Sequence, residues 1–125
     1  MRRPRKFAAG LIASAALVAA AGAPAAEQFK KLSAPQIRAA LTDMELTDEV
    51  HWRDVYQRDG TLRTYGMGKK RLGKWSIVDD QLCIDLPAPD DRCYEVRRSG
   101  RNFQLWQDGT YLSIEGILQP PSDPK

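Results

Sequence analysis

Few positions in this chain combine residue types that could do chemistry, and the first is the run His51-Trp52-Arg53-Asp54. An imidazole followed three residues later by a carboxylate could supply a general base and an acid. On a β-strand, side chains three positions apart point to opposite faces, so His51 and Asp54 are not expected to touch. We predict that His51 is a solvated residue at a strand end. Asp54 lies between Trp52 and Tyr56 on the predicted inner face, where a buried carboxylate paired with an arginine or capped by tyrosine hydroxyls can mark a ligand site. The alternative is a structural aspartate at the barrel mouth or in a salt bridge.

Basic residues form a second candidate. Lys69-Lys70-Arg71, followed by Lys74, is predicted to be a glycine-flanked loop between two strands. A similar group near another hairpin tip comprises Arg97, Arg98 and Arg101. Together they could contact an anionic surface such as lipid headgroups, lipopolysaccharide phosphates or a polyanionic glycan. The alternative is that they are ordinary solvated loops balanced by the acids at 79, 80, 85, 90 and 91.

An aromatic pair is the third candidate. If Asp108-Gly109 forms a two-residue turn, Trp106 lies opposite Tyr111 on the outer face, where the two rings could stack on a sugar. Large open apolar patches are uncommon on soluble proteins. We therefore expect the helix that bears Ile37 and Leu41 to pack over this pair.

The two cysteines are predicted to be joined. Cys83 and Cys93 lie on adjacent predicted strands connected by the turn-like residues 87–91. Counting outward from that turn pairs Ile84 with Arg92 and brings the two cysteines opposite each other, as a cross-strand disulfide requires. The spacing does not match a C-x-x-C redox pair, and a zinc site would need two further ligands.

The first 25 residues have the features of an export signal. Arg2-Arg3-Pro4-Arg5-Lys6 is a basic start, residues 7–22 are uncharged and rich in alanine, and Ala23-Pro24-Ala25 is an A-x-A cleavage site. The mature chain is predicted to begin at Ala26, although residues 7–26 would also be long enough for an uncleaved anchor. Location in a bacterial periplasm or secretion follows from cleavage.

Charge excludes one class of partner. The chain has nineteen Lys or Arg and sixteen Asp or Glu, and four of the cations belong to the leader. The remaining 100 residues, 26–125, therefore hold fifteen cations against sixteen acids and lack the broad positive field of nucleic-acid-binding domains. That length suits a single domain. No cofactor motif, metal-ligand set or catalytic triad is recognisable, so we expect a protein that is not an enzyme and needs no cofactor.

One helix is predicted, after a polar lead-in over residues 27–31. Ser33-Ala34-Pro35-Gln36 has the form of a capping box, with Leu32 and Ile37 at the staple positions. The helix should run over about 34–41. From Met44 onward, short alternating segments rich in β-branched and aromatic residues predict strands. They fall near 44–47, 50–57, 61–67, 73–78, 81–86, 92–98, 102–107 and 110–118.

These elements predict an all-β domain with one short N-terminal helix. Short connections force neighbouring strands to be antiparallel, so seven or eight strands should form a meander that closes into a small barrel or a strongly bent sheet. If Gly60 occupies the left-handed position of a bulged turn, Trp52 and Tyr56 share the inner face with Leu62 and Thr64.

Further inner-face positions follow from the turn at 108–109. That turn would place Leu105 opposite Leu112 and Phe103 opposite Ile114. The rest of the predicted interior comprises Trp75, Ile77, Leu82, Ile84, Leu86, Tyr94 and Val96.

Several of these segments together resemble a group of small exported proteobacterial proteins that share a domain of unknown function. The matching segments are Asp59-Gly60-Thr61, Gly73-Lys74-Trp75-Ser76-Ile77, Leu82-Cys83, Cys93-Tyr94-Glu95-Val96 and Gly100. The resemblance would cover nearly all of residues 31–118 and implies export, a β domain and a disulfide hairpin, without a catalytic residue.

The resulting functional prediction is a non-enzymatic periplasmic binding or envelope-associated module. It would be a monomer without a transmembrane segment after cleavage, and its partner would be an envelope protein or an anionic glycan or lipid surface. The alternative is an inhibitor of a cell-wall hydrolase, which would block a glycosidase cleft with a loop such as 66–74. The candidate contact residues are Asp54, Lys69, Lys70, Arg71, Trp106 and Tyr111.

Overall fold

The computed structural model describes residues 2, 4, 10, 12–15, 28–87 and 91–122. Most of the predicted leader and its cleavage site lie outside these residues. The helix α1 spans Ala34–Leu41. The strands are β1 Lys30–Lys31, β2 Met44–Thr47, β3 Trp52–Tyr56, β4 Thr61–Gly66, β5 Lys69–Val78, β6 Gln81–Asp85, β7 Arg92–Ser99, β8 Asn102–Gln107 and β9 Ser113–Gln119.

Strands β2 to β9 form a closed antiparallel barrel. Each strand pairs with the next one along the chain, and β9 returns to β2, where Leu118 lies opposite Leu46. The predicted meander barrel is confirmed, and its closure leaves few free strand edges. No strand was predicted in the polar lead-in, but Lys30 and Lys31 form β1 on β7, opposite Arg98 and Arg97. Two lysines show no alternation, so only the backbone pairing reveals this strand.

The helix closes one end of the barrel. Gln36 Oε1 accepts the Ser33 backbone N–H at 2.9 Å, as the predicted capping box requires. Ile37 and Leu41 are fully buried against the core, and α1 packs on β2 and β5. The Ala34 N–H also donates to Asp80 in the β5–β6 turn, at 2.6 Å.

The expectation that α1 covers Trp106 was wrong. Only Thr42 and Asp43 separate the helix from β2, so the helix stays at the end of the barrel where β2 begins. Trp106 is covered instead by its own neighbours. The Arg97 guanidinium lies 5.0 Å from the ring centre, and Trp106 Nε1 donates to Gln104 Oε1 at 3.1 Å.

Two hairpins have the predicted register. Tyr56 lies opposite Leu62 across β3 and β4, and Gly60 adopts the left-handed conformation with φ 91°. Cys83 lies opposite Cys93 across β6 and β7, and the two form a disulfide. In both hairpins the turn sequence and the alternation of side chains favour the same register.

The β8–β9 hairpin differs from the prediction by two residues. Leu105 lies opposite Ile114 and Trp106 opposite Ser113, because the connection is longer than a two-residue turn. The observed register places Gly116 opposite Phe103. A Cβ on Gly116 would lie 2.9 Å from the Trp52 ring, so a glycine at this position avoids a steric clash with the ring.

This shift of two residues keeps the inner and outer faces of β9 but changes what is buried. Leu112 is 71% exposed, and Ile114 is 41% exposed at the barrel end. The remaining predicted interior is largely confirmed. Its buried members are Tyr56, Leu62, Trp75, Leu82, Ile84, Tyr94, Val96, Phe103 and Leu105.

The basic segment predicted as a loop is a strand. β5 begins at Lys69, directly after a two-residue turn in which Met67 has φ 53° and Gly68 φ 74°. Positive φ at both central residues is the geometry that tight hairpins prefer. The turn was missed because methionine is not a residue type that indicates positive φ.

Candidate functional site

A cavity of about 380 Å³ lies at the end of the barrel opposite α1. Its apolar lining comprises Trp52, Leu62, Ile84, Leu86, Leu105 and Ile114. Its polar lining comprises Asp54, Thr64, Arg71, Arg92, Tyr94 and Gln107. A pocket of this size with apolar walls and a few polar groups is typical of small-molecule sites.

Strand pairing brings three of the polar side chains together. Asp54 on β3 lies opposite Thr64 on β4, and Thr64 lies opposite Arg71 on β5. Directly paired residues point to the same face of a sheet, so all three side chains point into the barrel. The result is a carboxyl, a hydroxyl and a guanidinium on three adjacent strands.

The Asp54 carboxyl is held in an environment that disfavours its charge. Burial raises the pKa of Asp54 to about 6, although the Thr64 hydroxyl and the Arg71 charge both favour the ionised form. The sequence predicted a carboxylate on this inner face, paired with arginine or tyrosine. The structure places it there, with Arg71 as the charged neighbour.

Tyr56 adds a polar group to the interior of the barrel. Tyr56 is fully buried, with its ring edge-on to Trp75 at 5.6 Å, and its hydroxyl forms no hydrogen bond to a described residue. Burial raises the pKa of Tyr56 well above its ordinary value, and the nearby Asp54 and Tyr94 raise it further. Tyr56 therefore stays neutral and brings a hydroxyl group into the apolar core.

The charged part of the lining lies at the opening. Arg71 and Arg92 are both exposed, and Arg92 Nη1 donates to Gln107 Oε1 at 2.9 Å. Arg92 was not singled out from the sequence, although the predicted pairing with Ile84 already assigned it to the inner face. The structure confirms that pairing.

Large apolar side chains also surround the opening. Val50 is 79% exposed, Met67 90%, Leu112 71% and Tyr111 99%. They lie on the three described connections at this end of the barrel: β2–β3, β4–β5 and β8–β9. Tyr111 is therefore a loop residue at the opening and does not pair with Trp106, since Trp106 lies opposite Ser113.

The structure separates the predicted basic cluster. Arg71 lines the cavity, whereas Lys69 and Lys70 line a different groove of about 400 Å³ between the β2–β3 loop and the β4–β5 hairpin. In that groove the Arg53 guanidinium lies 3.9 Å from the centre of the Tyr65 ring. Alternation along β5 explains why Lys70 and Arg71 serve different surfaces.

His51 is an exposed residue before β3 and also lines this groove between the β2–β3 loop and the β4–β5 hairpin, which we call the outer groove. Its Nδ1 is 2.8 Å from Asp48 Oδ2, and Asp48 Oδ1 accepts backbone N–H groups from Val50, His51 and Trp52. Partial desolvation raises the pKa of Asp48, but these hydrogen bonds outweigh it and hold the pKa well below its usual range. The pair organises the loop at the opening.

Comparisons of the chain with protein-family models, with curated proteins and with solved structures gave no match. Within the described part of the chain, no helix has both the length and the apolar character needed to cross a bilayer. Among the same residues, no three His, Cys, Asp or Glu side chains are grouped as metal ligands would be. The geometry of the cavity therefore carries the functional argument.

Proposed function

We propose that this chain is an exported, non-enzymatic binding module whose barrel cavity holds a small amphipathic molecule. The observation that carries the proposal is the cavity of about 380 Å³, which combines apolar walls with Asp54 inside the barrel and two exposed arginines, Arg71 and Arg92, at its opening. Export is supported by the leader-like N-terminus and by the Cys83–Cys93 disulfide, since disulfides persist in oxidising compartments.

Binding fits the chemistry of the lining better than catalysis does. The Thr64 hydroxyl and the Arg71 charge both stabilise the ionised form of Asp54. Among the described lining residues there is no imidazole or second carboxylate beside Asp54 to share a proton transfer. These groups can hold a ligand by charge and hydrogen bonds.

A cavity-filling substitution tests the proposal. Ile114→Trp would place a large side chain at the opening, and Leu72→Trp is the matched control, because Leu72 is 58% exposed and outside the cavity lining. The fluorescent amphiphile anilinonaphthalene sulfonate should bind the full chain saturably, with one molecule per protein. Ile114→Trp should weaken binding about tenfold, since it occupies the space of the probe, and Leu72→Trp should leave it unchanged.

Two outcomes would overturn the proposal: a probe signal that does not saturate, or equal binding by both tryptophan variants. Circular dichroism melting of each variant establishes that it is folded at the temperature of the titration.

The alternative, inhibition of a cell-wall hydrolase, is supported by one feature, the β4–β5 hairpin with Met67 exposed at its tip. A lysozyme assay with excess protein decides it. Inhibition that is lost in Met67→Asp would favour a hairpin contact, and undiminished hydrolysis would exclude it for this enzyme class.

A further inference from the structure

We propose that the ligand of the cavity is an organic anion that enters with its apolar part first and leaves its charged group between Arg71 and Arg92. This inference rests on the proposed function and specifies the class of molecule bound. Three features of the cavity support it: the order of apolar and charged groups along the cavity, the net charge of its lining and the position of Asp54.

Burial along the cavity sets the orientation of the ligand. Leu62, Ile84 and Leu105 are each at most 8% exposed and give the depth of the cavity an apolar wall, to which Asp54 and Tyr94 add polar groups. Arg71 and Arg92 are exposed, so the cationic groups lie at the solvent end. A molecule with one apolar and one charged end gains from both environments only if its charged end stays at the opening.

The charges of the lining determine the sign of that charged end. The described lining residues include two guanidinium groups and one carboxylate, and Thr64 and Arg71 already stabilise that carboxylate. Gln107 receives one N–H of Arg92, and a guanidinium carries five such donors in a planar fork. Arg92 can therefore bind a carboxylate, sulfonate or phosphate group while it remains anchored to Gln107.

Asp54 makes this binding dependent on pH. Asp54 interacts with Thr64 on β4 and Arg71 on β5, it raises the pKa of Tyr56 on β3, and it shares the cavity lining with Arg92 and Tyr94 on β7. Arginine is not deprotonated in proteins, and burial keeps Tyr56 neutral, so Asp54 is the group among these described residues whose charge changes near pH 6. As pH falls through about 6, the negative charge of Asp54 is lost and an anion should bind more tightly.

An amine is the competing class of ligand, since its cation could pair with Asp54. Its pH dependence would be the reverse, because protonation of Asp54 removes the partner charge. The sign of the pH dependence therefore separates the two classes.

The experiment compares three probes that share one alkyl chain: decanoate, decanol and decyltrimethylammonium. Their dissociation constants for the full chain are measured by displacement of the fluorescent amphiphile at pH 7.5 and at pH 5.5, below their micelle concentrations. Decanoate should bind about tenfold more tightly than decanol, because it alone gains the guanidinium contacts. It should also gain several-fold in affinity at pH 5.5.

Charge variants locate the contacts. Arg71→Gln and Arg92→Gln should each weaken decanoate binding severalfold without changing decanol. The matched control Lys74→Gln removes an exposed charge from the same strand outside the lining and should change neither. Asp54→Asn should abolish the pH dependence, and His51→Gln, which alters a titratable residue of the outer groove, should preserve it.

The outcomes separate the inference from the proposed function. Equal affinities for decanoate and decanol, tighter binding of the ammonium probe, or arginine variants that bind decanoate like Lys74→Gln would overturn the inference and leave the binding function intact. If neither the fluorescent amphiphile nor any of the three probes binds saturably, both the inference and the proposed function are overturned.

Discussion

The helix-capped end of the barrel and the open end are filled with different kinds of side chain. At the capped end, Ile37 and Leu41 of α1 are fully buried, and Asp80 accepts the Ala34 N–H at the start of the helix. Next to the helix, Arg58 Nε donates to Asp43 Oδ2 at 3.0 Å. This end holds a hydrophobic core, and Asp80 and Asp43 are paired at its surface.

At the open end the arrangement is reversed. Apolar side chains such as Met67 and Leu112 are exposed around the opening, while Asp54 lies inside the barrel with a raised pKa. Burial of a leucine or isoleucine contributes about 1.5–3 kcal/mol, whereas a desolvated carboxylate costs free energy. One end of this small barrel therefore has a filled apolar core, while the other exposes apolar side chains and buries a carboxyl, a combination that favours stability less.

The largest expected effect is at the capped end. Leu41→Ala should lower the free energy of unfolding by about 2–5 kcal/mol, because it removes a fully buried side chain and leaves a cavity. The matched change at the open end, Ile114→Ala, should cost less than about 1 kcal/mol, since Ile114 is 41% exposed. Urea unfolding followed by tryptophan fluorescence measures both.

The difference in stability loss between Leu41→Ala and Ile114→Ala tests whether the capped end contributes more stability than the open end. Equal losses of stability at Leu41 and Ile114 would mean that the two ends contribute alike.

The next effect concerns the disulfide, which joins β6 and β7 next to the open end. Cys83→Ser combined with Cys93→Ser should lower the free energy of unfolding by about 2–4 kcal/mol, because it frees the unfolded chain from a closed loop. Urea unfolding with and without a reductant measures the effect. A wild-type protein insensitive to reductant under unfolding conditions would contradict a disulfide contribution to stability.

Unlike the two changes above, Asp54→Asn should raise the free energy of unfolding at neutral pH. The folded pKa of about 6 lies above the ordinary aspartate value of 3.8, so the folded state binds more protons than the unfolded state between these values. Stability should therefore fall as pH rises from about 4 to 6. At pH 7 the asparagine variant should be more stable by about 1–3 kcal/mol, and the advantage should vanish near pH 4.

Thermal unfolding of both proteins across this pH range measures the linkage. An asparagine variant that is less stable at pH 7 would show that the ionised carboxylate supports the open end.

The smallest effect is expected at the loop before β3. Asp48→Ala removes the acceptor of three backbone N–H groups, those of Val50, His51 and Trp52. The exposed loop should exchange its amide hydrogens faster, while the amides of α1 remain unchanged, because the two ends share no contact through Asp48. Hydrogen exchange followed by NMR resolves this, and faster exchange in α1 as well would show that the ends are coupled.

Local patterns predicted much of the fold because local physics decides it. The capping box at Ser33, the glycine turn at Gly60 and the alternation around Cys83 and Cys93 each require only neighbouring residues, and the structure has them as predicted. The predicted β8–β9 register was wrong because residues 108–112 form a longer connection than the predicted two-residue turn. Gly116 must leave space for the Trp52 ring, and no pattern near residue 108 reports that contact.

The candidate site was predictable only in part. Strand alternation was enough to direct Asp54 inward, because a period of two fixes its face. The separation of Arg71 from Lys69 and Lys70 was missed, since the basic run was taken for a loop. Arg92, Gln107 and Tyr94 come from other hairpins, and their meeting depends on closure of the barrel.

The sequence by itself determined the meander of strands, the position of the helix in the chain and the pairing of Cys83 with Cys93, because each follows from residue spacing and turn chemistry. Only the tertiary structure decided that α1 closes one end and that Asp54, Arg71 and Arg92 meet at the other. The closing pairing between β2 and β9 joins residues 70 to 74 positions apart, and it turns a row of hairpins into a barrel with an inside.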